Sequence, residues 1–148
     1  MTILNKELLT AEDVRSKESV RTRSSLRPAR DSVSVCIPTF NGAKWILPSI
    51  NSVLSQSCLP FEILVIDDAS TDDTVELVRS LENERIRLIV NDRNLGIPVN
   101  WNRCVDLSRG EFVKFLFQDD LLYPECIEKM VRLLLANPSL GLVFCRVT

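Results

Sequence analysis

The chain has 148 residues and a formal net charge of −2 at pH 7, which fits a single globular domain and disfavours a large nucleic-acid-binding surface. It contains no histidine, which excludes His-based acid–base catalysis, Ser-His and Cys-His nucleophile pairs and His-ligated zinc. Its five cysteines form no C-x-x-C pair, a pattern typical of free thiols in a reducing compartment. With no secretory signal and no apolar run near the ~20 residues of a membrane span, we expect a cytoplasmic protein that has no transmembrane segment but could still contact a membrane surface.

Residues 1–31 differ in composition from the rest of the chain. They include the Arg- and Ser-rich stretch SKESVRTRSSLRPARDS and no large apolar cluster. Such a segment cannot bury enough apolar surface to offset its conformational entropy. We therefore predict a mobile polar tail over residues 1–31, which could touch anionic lipid or a partner, and a folded domain over residues 32–148.

From residue 33 onward, short apolar runs alternate with stretches of helical periodicity. In chain order they are the strand VSVCI, the helix AKWILPSINSVLSQS, the strand FEILVI, the helix TDDTVELVRSLENE, the strand RIRLIV, the helix PVNWNRCVDLSRG, the strand EFVKFLF, the helix PECIEKMVRLLLAN and the strand LGLVFCRV. Ser70 and Asp73 have the spacing of a capping box at the second helix, and Trp101, Cys104 and Val105 share one face of the third. Near-continuous apolar strands that alternate with helices predict an α/β protein, a three-layer α/β/α sandwich with a mainly parallel sheet.

Polar and turn-forming residues follow each of the first four predicted strands. These segments are PTFNG at residues 38–42, DDAST at 67–71, NDRNLG at 91–96 and QDD at 118–120. In open α/β sheets, ligands bind beyond the carboxyl ends of the strands. The sequence therefore predicts a ligand site at this edge of the sheet.

Two pairs of adjacent carboxylates lie at that edge. For Asp67 and Asp68 an alternative to ligand binding is local, because Asp67 could accept turn N–H groups while Asp68 helps to cap the next helix. For Asp119 and Asp120 the next helix begins near Pro124, so capping does not require both acids. Hard oxygen ligands suit Mg²⁺ or Mn²⁺, which usually also bind substrate phosphates. The sequence has no glycine-rich phosphate loop, so phosphates would be held through a metal.

Other residues at the edge leave alternatives open. Phe40 either packs against a nucleobase or folds back into the core. Asn94, Gly96 and Asn102 either order a loop over the site or serve turn and helix-start geometry.

Three segments together, VSVCIPTFNGAKWILPSINSVLSQS, FEILVIDDASTDDT and NLGIPVNWNRCVDLSRGEFVKFLFQDD, resemble the family 2 glycosyltransferases with the GT-A fold. The resemblance implies a nucleotide-diphosphate-sugar donor, a divalent metal (Mn or Mg) and transfer of the sugar, usually with inversion. The acceptor would be a glycan, a lipid or a protein, in a setting such as cell-envelope polysaccharide synthesis.

The resemblance also implies roles for individual residues. It assigns nucleotide-sugar binding to Pro38, Thr39, Phe40, Asp67, Asp68, Asn94, Gly96, Asn102 and Asp119, and metal binding to Asp119 and Asp120. Within this set, Asp68 would hydrogen-bond the base, and Asp120 would contact the metal. The DxD-like motif departs from the family pattern, because Gln118 replaces its first acid.

Length is the larger departure from the family. Members continue into acceptor-binding strands and a carboxylate that serves as catalytic base, so we expect an incomplete, C-terminally truncated domain whose catalytic residues are unknown. Glu125 and Glu128 lie on the last predicted helix, and nothing in the sequence identifies either of them as that base. A nucleotide-sugar-binding remnant without transferase activity is one alternative. A phosphorelay receiver domain is a distant one, suggested by ILVIDDAS, but the acids follow the second strand rather than the first.

Overall fold

The computed structural model describes residues 2–5 and 32–145. Within these ranges the elements are, in chain order, β1 (Thr2–Asn5), β2 (Val33–Thr39), α1 (Ile46–Leu54), β3 (Glu62–Asp67), α2 (Thr74–Arg79), β4 (Ile86–Val90), α3 (Ile97–Leu107), β5 (Phe112–Phe115), α4 (Cys126–Ala136) and β6 (Leu142–Phe144). Each predicted strand and helix is present; the four helices are shorter than the sequence pattern suggested, whereas β2 extends two residues beyond the predicted strand VSVCI.

The strands form one sheet in the order β4-β3-β2-β5-β1-β6. Strand β2 pairs in parallel with β3 and with β5, and β3 pairs in parallel with β4. The register places Thr39 opposite Asp67 and Asp67 opposite Val90. Three neighbouring strands therefore end at the same level, which brings the segments that follow them to one edge.

Helices cover both faces of the sheet. Residues of α1, α2 and α4, among them Ile50, Val78 and Met130, share one apolar cluster with the strands. Cys104 of α3 packs with Cys36 and Leu64 in a second cluster on the opposite face. These two clusters confirm the predicted three-layer α/β/α architecture. Among the described residues, no helix is both long and apolar enough to span a bilayer.

Strand β1 corrects the prediction of a mobile tail over residues 1–31. Residues 2–5 are antiparallel to both β5 and β6 and lie between them, with Ile3 opposite Lys114 and Val143. Ile3 is fully buried. The prediction averaged composition over the whole segment and so missed a four-residue strand whose hydrogen bonds come from partners distant in sequence. The rest of the predicted tail, residues 6–31, lies outside the described residues.

A lysine is buried in the middle of the sheet. Lys114 of β5 is fully buried, and it points toward the face of α1 and α4, because side chains alternate along a strand and its neighbours Phe112 and Leu116 join that cluster. Its Nζ donates to the Phe115 carbonyl at 3.0 Å. Burial lowers the pKa of Lys114 below its ordinary value, and the nearby Cys126, Cys145 and Asp120 oppose this only in part.

Candidate functional site

A glutamine joins the ends of β2 and β5. Gln118 Oε1 accepts hydrogen bonds from Thr39 Oγ1 at 2.5 Å and from the Phe40 amide at 3.0 Å. A Cβ on Gly42 would lie 2.5 Å from Gln118 Oε1 and 2.7 Å from Thr39 Oγ1, so this clamp has room only for glycine. Because the Gln118 side-chain oxygen already has two donors, it serves to hold the strands together.

The acidic turn after β3 is fixed by its own first carboxylate. Asp67 is fully buried, and it accepts the Ser70 amide at 2.8 Å and the Ser70 hydroxyl at 2.5 Å. Ala69 has a φ of 61°, and Asn41, across from it in the β2–α1 loop, has a φ of 49°. Asn41 Oδ1 accepts the Thr71 amide at 2.9 Å, which ties the two loops together.

The start of α2 differs from the predicted capping box. Neither Ser70 nor Asp73 caps the helix with its side chain, since Ser70 is engaged by Asp67 and Asp73 makes no capping bond. Asp72 takes this role and accepts hydrogen bonds from the Thr74 hydroxyl and amide and from the Ala43 amide. Desolvation raises the pKa of Asp72, but these hydrogen bonds together outweigh it and lower the pKa below its ordinary value.

The second carboxylate of the turn holds the loop between β4 and α3. Asp68 is 3% exposed; its Oδ1 accepts Asn91 Nδ2 at 2.7 Å and the Leu95 amide at 2.8 Å, and its Oδ2 accepts the Gly96 amide at 2.9 Å. The Gly96 amide also lies 3.0 Å from Asn94 Oδ1, and Gly96 has a φ of 83°. Asn94 and Gly96 therefore act first in the turn geometry of this loop, and Asp68 does not cap α2.

A pocket of about 340 Å³ opens at this edge of the sheet. The residues lining it come from β2, the β3–α2 turn, α3 and the segment after β5: Pro38, Thr39, Phe40, Asp68, Ile97, Asn100, Trp101, Phe117, Gln118 and Asp119. Trp101 stacks on Phe117 with ring centroids 4.9 Å apart and an interplanar angle of 27°. Phe40 and Trp101 are 43% and 39% exposed, so both rings are available to a ligand.

The pocket gathers only some of the predicted site residues. Pro38, Thr39, Phe40, Asp68 and Asp119 line it. The remaining predicted residues, Asp67, Asn94, Gly96, Asn102 and Asp120, are not among its lining residues. Asp67 is buried in the turn, Asn94 and Gly96 shape the neighbouring loop, and Asn102 is exposed on α3.

Sequence reasoning missed the wall that α3 contributes, which consists of Ile97, Asn100 and Trp101. It noted that Trp101 shares a helix face with Cys104 and Val105 but did not make Trp101 a site residue, whereas Trp101 is 39% exposed and lines the pocket. Ile97 and Trp101, four residues apart on α3, both line the pocket. That spacing, in a helix that starts at the ligand-binding edge, was the signal available in the sequence.

The predicted metal residues leave their carboxylates uncommitted. Neither Asp119 nor Asp120 has a side-chain hydrogen bond or ion pair to another described residue. Within residues 2–5 and 32–145, no group of three or more His, Cys, Asp or Glu residues could enclose a metal. Two adjacent carboxylates suit an ion such as Mg²⁺, which completes its coordination with substrate phosphates and water.

Fold and pocket together define a three-layer α/β domain with a pocket at the carboxyl edge of a parallel sheet. Residues 34–148 match the family described as Glycosyl transferase family 2, so the chain belongs to this family. This membership confirms the resemblance seen in the sequence and decides against the phosphorelay receiver alternative.

Curated relatives are longer than this chain. It is 35% identical over 120 residues to an uncharacterized protein of Mycobacterium tuberculosis (strain CDC 1551 / Oshkosh), which covers 81% of this chain and 37% of that protein. It is 32% identical over 105 residues to the putative teichuronic acid biosynthesis glycosyltransferase TuaG of Bacillus subtilis (strain 168), covering 70% of this chain and 42% of TuaG. The chain thus spans well under half the length of these relatives.

Solved structures agree with the fold. Residues 1–349 of S. aureus TarS superpose with a TM-score of 0.67 at 29% identity, covering 72% of this chain and 33% of the TarS chain. The same TarS segment has been solved in complex with UDP and with UDP-GlcNAc, at the same TM-score and identity.

Proposed function

We propose that the pocket binds a nucleotide-diphosphate sugar and that the domain takes part in transferring the sugar, with inversion, to an acceptor. The observation that carries this proposal is the convergence of Pro38, Thr39, Phe40, Asp68 and Asp119 on one pocket of about 340 Å³. A volume of this size suits a small ligand. The UDP and UDP-GlcNAc complexes of the TarS segment support a nucleotide sugar as that ligand.

The pocket offers both a surface and a polar group for a nucleobase. The exposed rings of Phe40 and Trp101 provide apolar faces on which a base can stack. Asp68 Oδ1 already accepts two hydrogen bonds and Oδ2 accepts one. Since each carboxylate oxygen can accept about two, one acceptor position remains on Oδ2 for a base N–H.

The charge of the pocket favours a metal for the diphosphate. Its lining residues include the carboxylates of Asp68 and Asp119 but no lysine or arginine. A diphosphate would be repelled there unless a cation intervened. Asp119 and Asp120 would hold a divalent ion, which neutralises charge on a diphosphate leaving group when it is bound.

No residue is proposed as the catalytic base. Glu125 is paired with Lys129 at 2.5 Å, and Glu128 is paired with Arg132 at 2.5 Å and accepts the Ser57 hydroxyl at 2.7 Å. Both carboxylates are thus engaged on α4. The name of TuaG supports a cell-envelope polysaccharide as the product, and a cytoplasmic location with peripheral membrane contact stays a prediction.

Calorimetric titration tests the proposal. UDP, UDP-GlcNAc, a GDP-sugar and a dTDP-sugar would be added with and without Mn²⁺ to the wild type and to Asp119→Asn, Asp120→Ala and Asp106→Asn. We expect Mn²⁺-dependent binding of one nucleotide that falls by about tenfold or more in the first two variants. Asp106 is exposed on α3 and does not line this pocket, so its variant should bind like the wild type.

Two results would decide against the proposal in different ways. If the folded wild-type chain binds none of these nucleotides, the proposed donor site is contradicted. Binding without any release of sugar from the donor, in the presence of candidate acceptors, would instead favour the remnant that binds but does not transfer.

A further inference from the structure

A second pocket, of about 540 Å³, borders the β4–α3 loop that Asp68 holds. Its lining residues come from the end of β4, the β4–α3 loop and α3: Val90, Asn91, Asp92, Arg93, Leu95 and Arg103. None of them lines the proposed donor pocket. Its volume is within the range of small-molecule sites. Whatever this pocket does, the donor assignment does not account for it.

The charge of this pocket is opposite to that of the donor pocket. Arg93 and Arg103 line it, together with the single acid Asp92. Neither arginine has an ion pair or hydrogen bond to another described residue, whereas Arg87 and Arg132 are both paired. Two unpaired guanidinium groups facing one cavity are suited to an oxyanion, which they can bind through two parallel N–H donors each.

Residues that line this cavity also carry the unsatisfied buried side-chain atoms found in the described part of the chain. Among the described residues, two buried side-chain atoms lack a partner, Asn91 Oδ1 and Arg103 Nε, and both belong to residues that line this pocket. The Asn91 amide cannot simply be flipped, because its Nδ2 donates to Asp68 Oδ1 at 2.7 Å and to Asn100 Oδ1 at 3.1 Å. Asn91 is 6% exposed, so its amide lies within the pocket wall. One acceptor and one donor without partners therefore belong to residues that line this cavity.

We propose that this second pocket binds a sugar phosphate. Its phosphate group would accept hydrogen bonds from the guanidinium groups of Arg93 and Arg103, and a side-chain shift that opens the pocket wall would let a sugar hydroxyl donate to the buried Asn91 Oδ1. Inorganic phosphate at neutral pH would satisfy the arginines, but an added sugar brings the hydroxyl donors that Asn91 lacks. The proposal does not depend on the donor assignment, since the two pockets share no lining residue.

Titration with two probes tests both halves of the proposal. Glucose 1-phosphate and inorganic phosphate would each be titrated at constant ionic strength into the wild type and the variants Arg103→Gln, Arg93→Gln and Arg79→Gln. We expect glucose 1-phosphate to bind at least about tenfold more weakly to the first two variants, because each loses a charge-assisted hydrogen bond. Arg79 is exposed on α2, outside the pocket, so its variant should bind like the wild type.

Further variants separate the two pockets and the two groups of the ligand. Asp92→Asn should strengthen binding a few-fold by removing the one negative charge, and Asp119→Asn should leave it unchanged. Circular dichroism and urea denaturation would show that Arg103→Gln is folded, and Arg93→Gln is an independent check because Arg93 is exposed.

Several outcomes would overturn the proposal. It fails if the folded wild type does not bind glucose 1-phosphate, or if binding survives loss of either arginine. It also fails if binding is lost in Asp119→Asn, which would assign the ligand to the donor pocket. Equal affinity for inorganic phosphate and glucose 1-phosphate would show that the sugar does not contribute to binding. It would also rule out the proposed hydrogen bond between a sugar hydroxyl and Asn91.

Discussion

At the amino ends of the parallel strands, the Glu62 carboxylate is 5% exposed and surrounded by donors: Ser34 Oγ at 2.7 Å, the Arg109 amide at 2.6 Å and Arg87 Nε at 3.0 Å. At the carboxyl ends, Asp119 and Asp120 have no such partners among the described residues. At the amino ends of the strands, a buried carboxylate thus stabilises the fold through hydrogen bonds from three protein groups. At the other end the carboxylates have no partner among the described residues, and open α/β sheets bind their ligands at this edge.

Replacing Glu62 by Ala is expected to have the largest effect on stability. The change leaves Ser34, Arg87 and the Arg109 amide without their acceptor in a buried site, which should cost about 2–4 kcal/mol of unfolding free energy. Urea denaturation would measure the loss. An unchanged midpoint would show that the hydrogen bonds of Glu62 do not stabilise the fold. The two ends of the sheet would then not differ in how much their carboxylates contribute to stability.

Replacing Gly42 by Ala tests how tightly the carboxyl end is built. The new Cβ would clash with Gln118 and Thr39, so we expect a loss of about 2 kcal/mol and weaker binding of UDP. The double variant Gly42→Ala, Gln118→Ala removes the two Gln118 atoms that the Cβ meets and leaves the Thr39 hydroxyl as the remaining close contact. The double variant should recover part of the lost stability. If the stability losses of the two single variants simply add in the double variant, the close contact between position 42 and Gln118 is contradicted.

Lys114 lies in the sheet between these two ends. It tests whether a buried ammonium group that forms no ion pair with a described residue lowers the stability of the protein. Because burial lowers its pKa, the unfolded chain binds the proton more tightly than the folded one. Between the lowered pKa and the ordinary value near 10.5, unfolding stability should therefore rise with pH and be lost as pH falls through the folded pKa. Lys114→Met should flatten this rise and stabilise the protein at neutral pH by on the order of 1 kcal/mol.

Urea denaturation of both proteins across this pH window would measure the effect. The same slope in wild type and Lys114→Met would show that another group titrates. A variant that is less stable at neutral pH would mean that the Nζ bond to the Phe115 carbonyl matters more than the buried charge.

Glu125→Gln is expected to have the smallest effect. The hydrogen bond and charge of Lys129 lower the pKa of Glu125, but both side chains are exposed on α4. Solvent-exposed pairs contribute little to stability. The urea midpoint should stay at the wild-type value, and a clear decrease would show that pairing alone, without burial, can stabilise this fold.

Much of the fold was predictable because its signals are local. Apolar runs such as FEILVI define strands, and the polar segments between elements mark their ends. Strand β1 was not predictable in this way, since its pairing with β5 and β6 depends on residues far along the chain. Burial of Lys114 was hidden for a similar reason, because charge alone suggests a solvent-facing position.

Within the site, the positions of acids were predictable but their partners were not. That Asp67 would accept turn amides followed from its place after a strand, and the Ser70 bonds bear this out. The hydrogen bonds from the β4–α3 loop to Asp68 could not be predicted in the same way. They depend on how far that loop folds back, which the sequence does not show. Trp101 was not predicted as a site residue, because helical periodicity does not distinguish a core-facing residue from one that faces a pocket.

The position of β1 between β5 and β6 has a consequence for the order of folding. In the sheet, β6 is bonded to β1, so β6 can join only after β1 is in place. Yet β1 and β5 are separated by roughly a hundred residues, and closing a loop of that length is a slow, entropically costly step. During synthesis β1 must therefore wait until β5, roughly a hundred residues later, has been made, and this half of the sheet is exposed to mispairing until both strands are present.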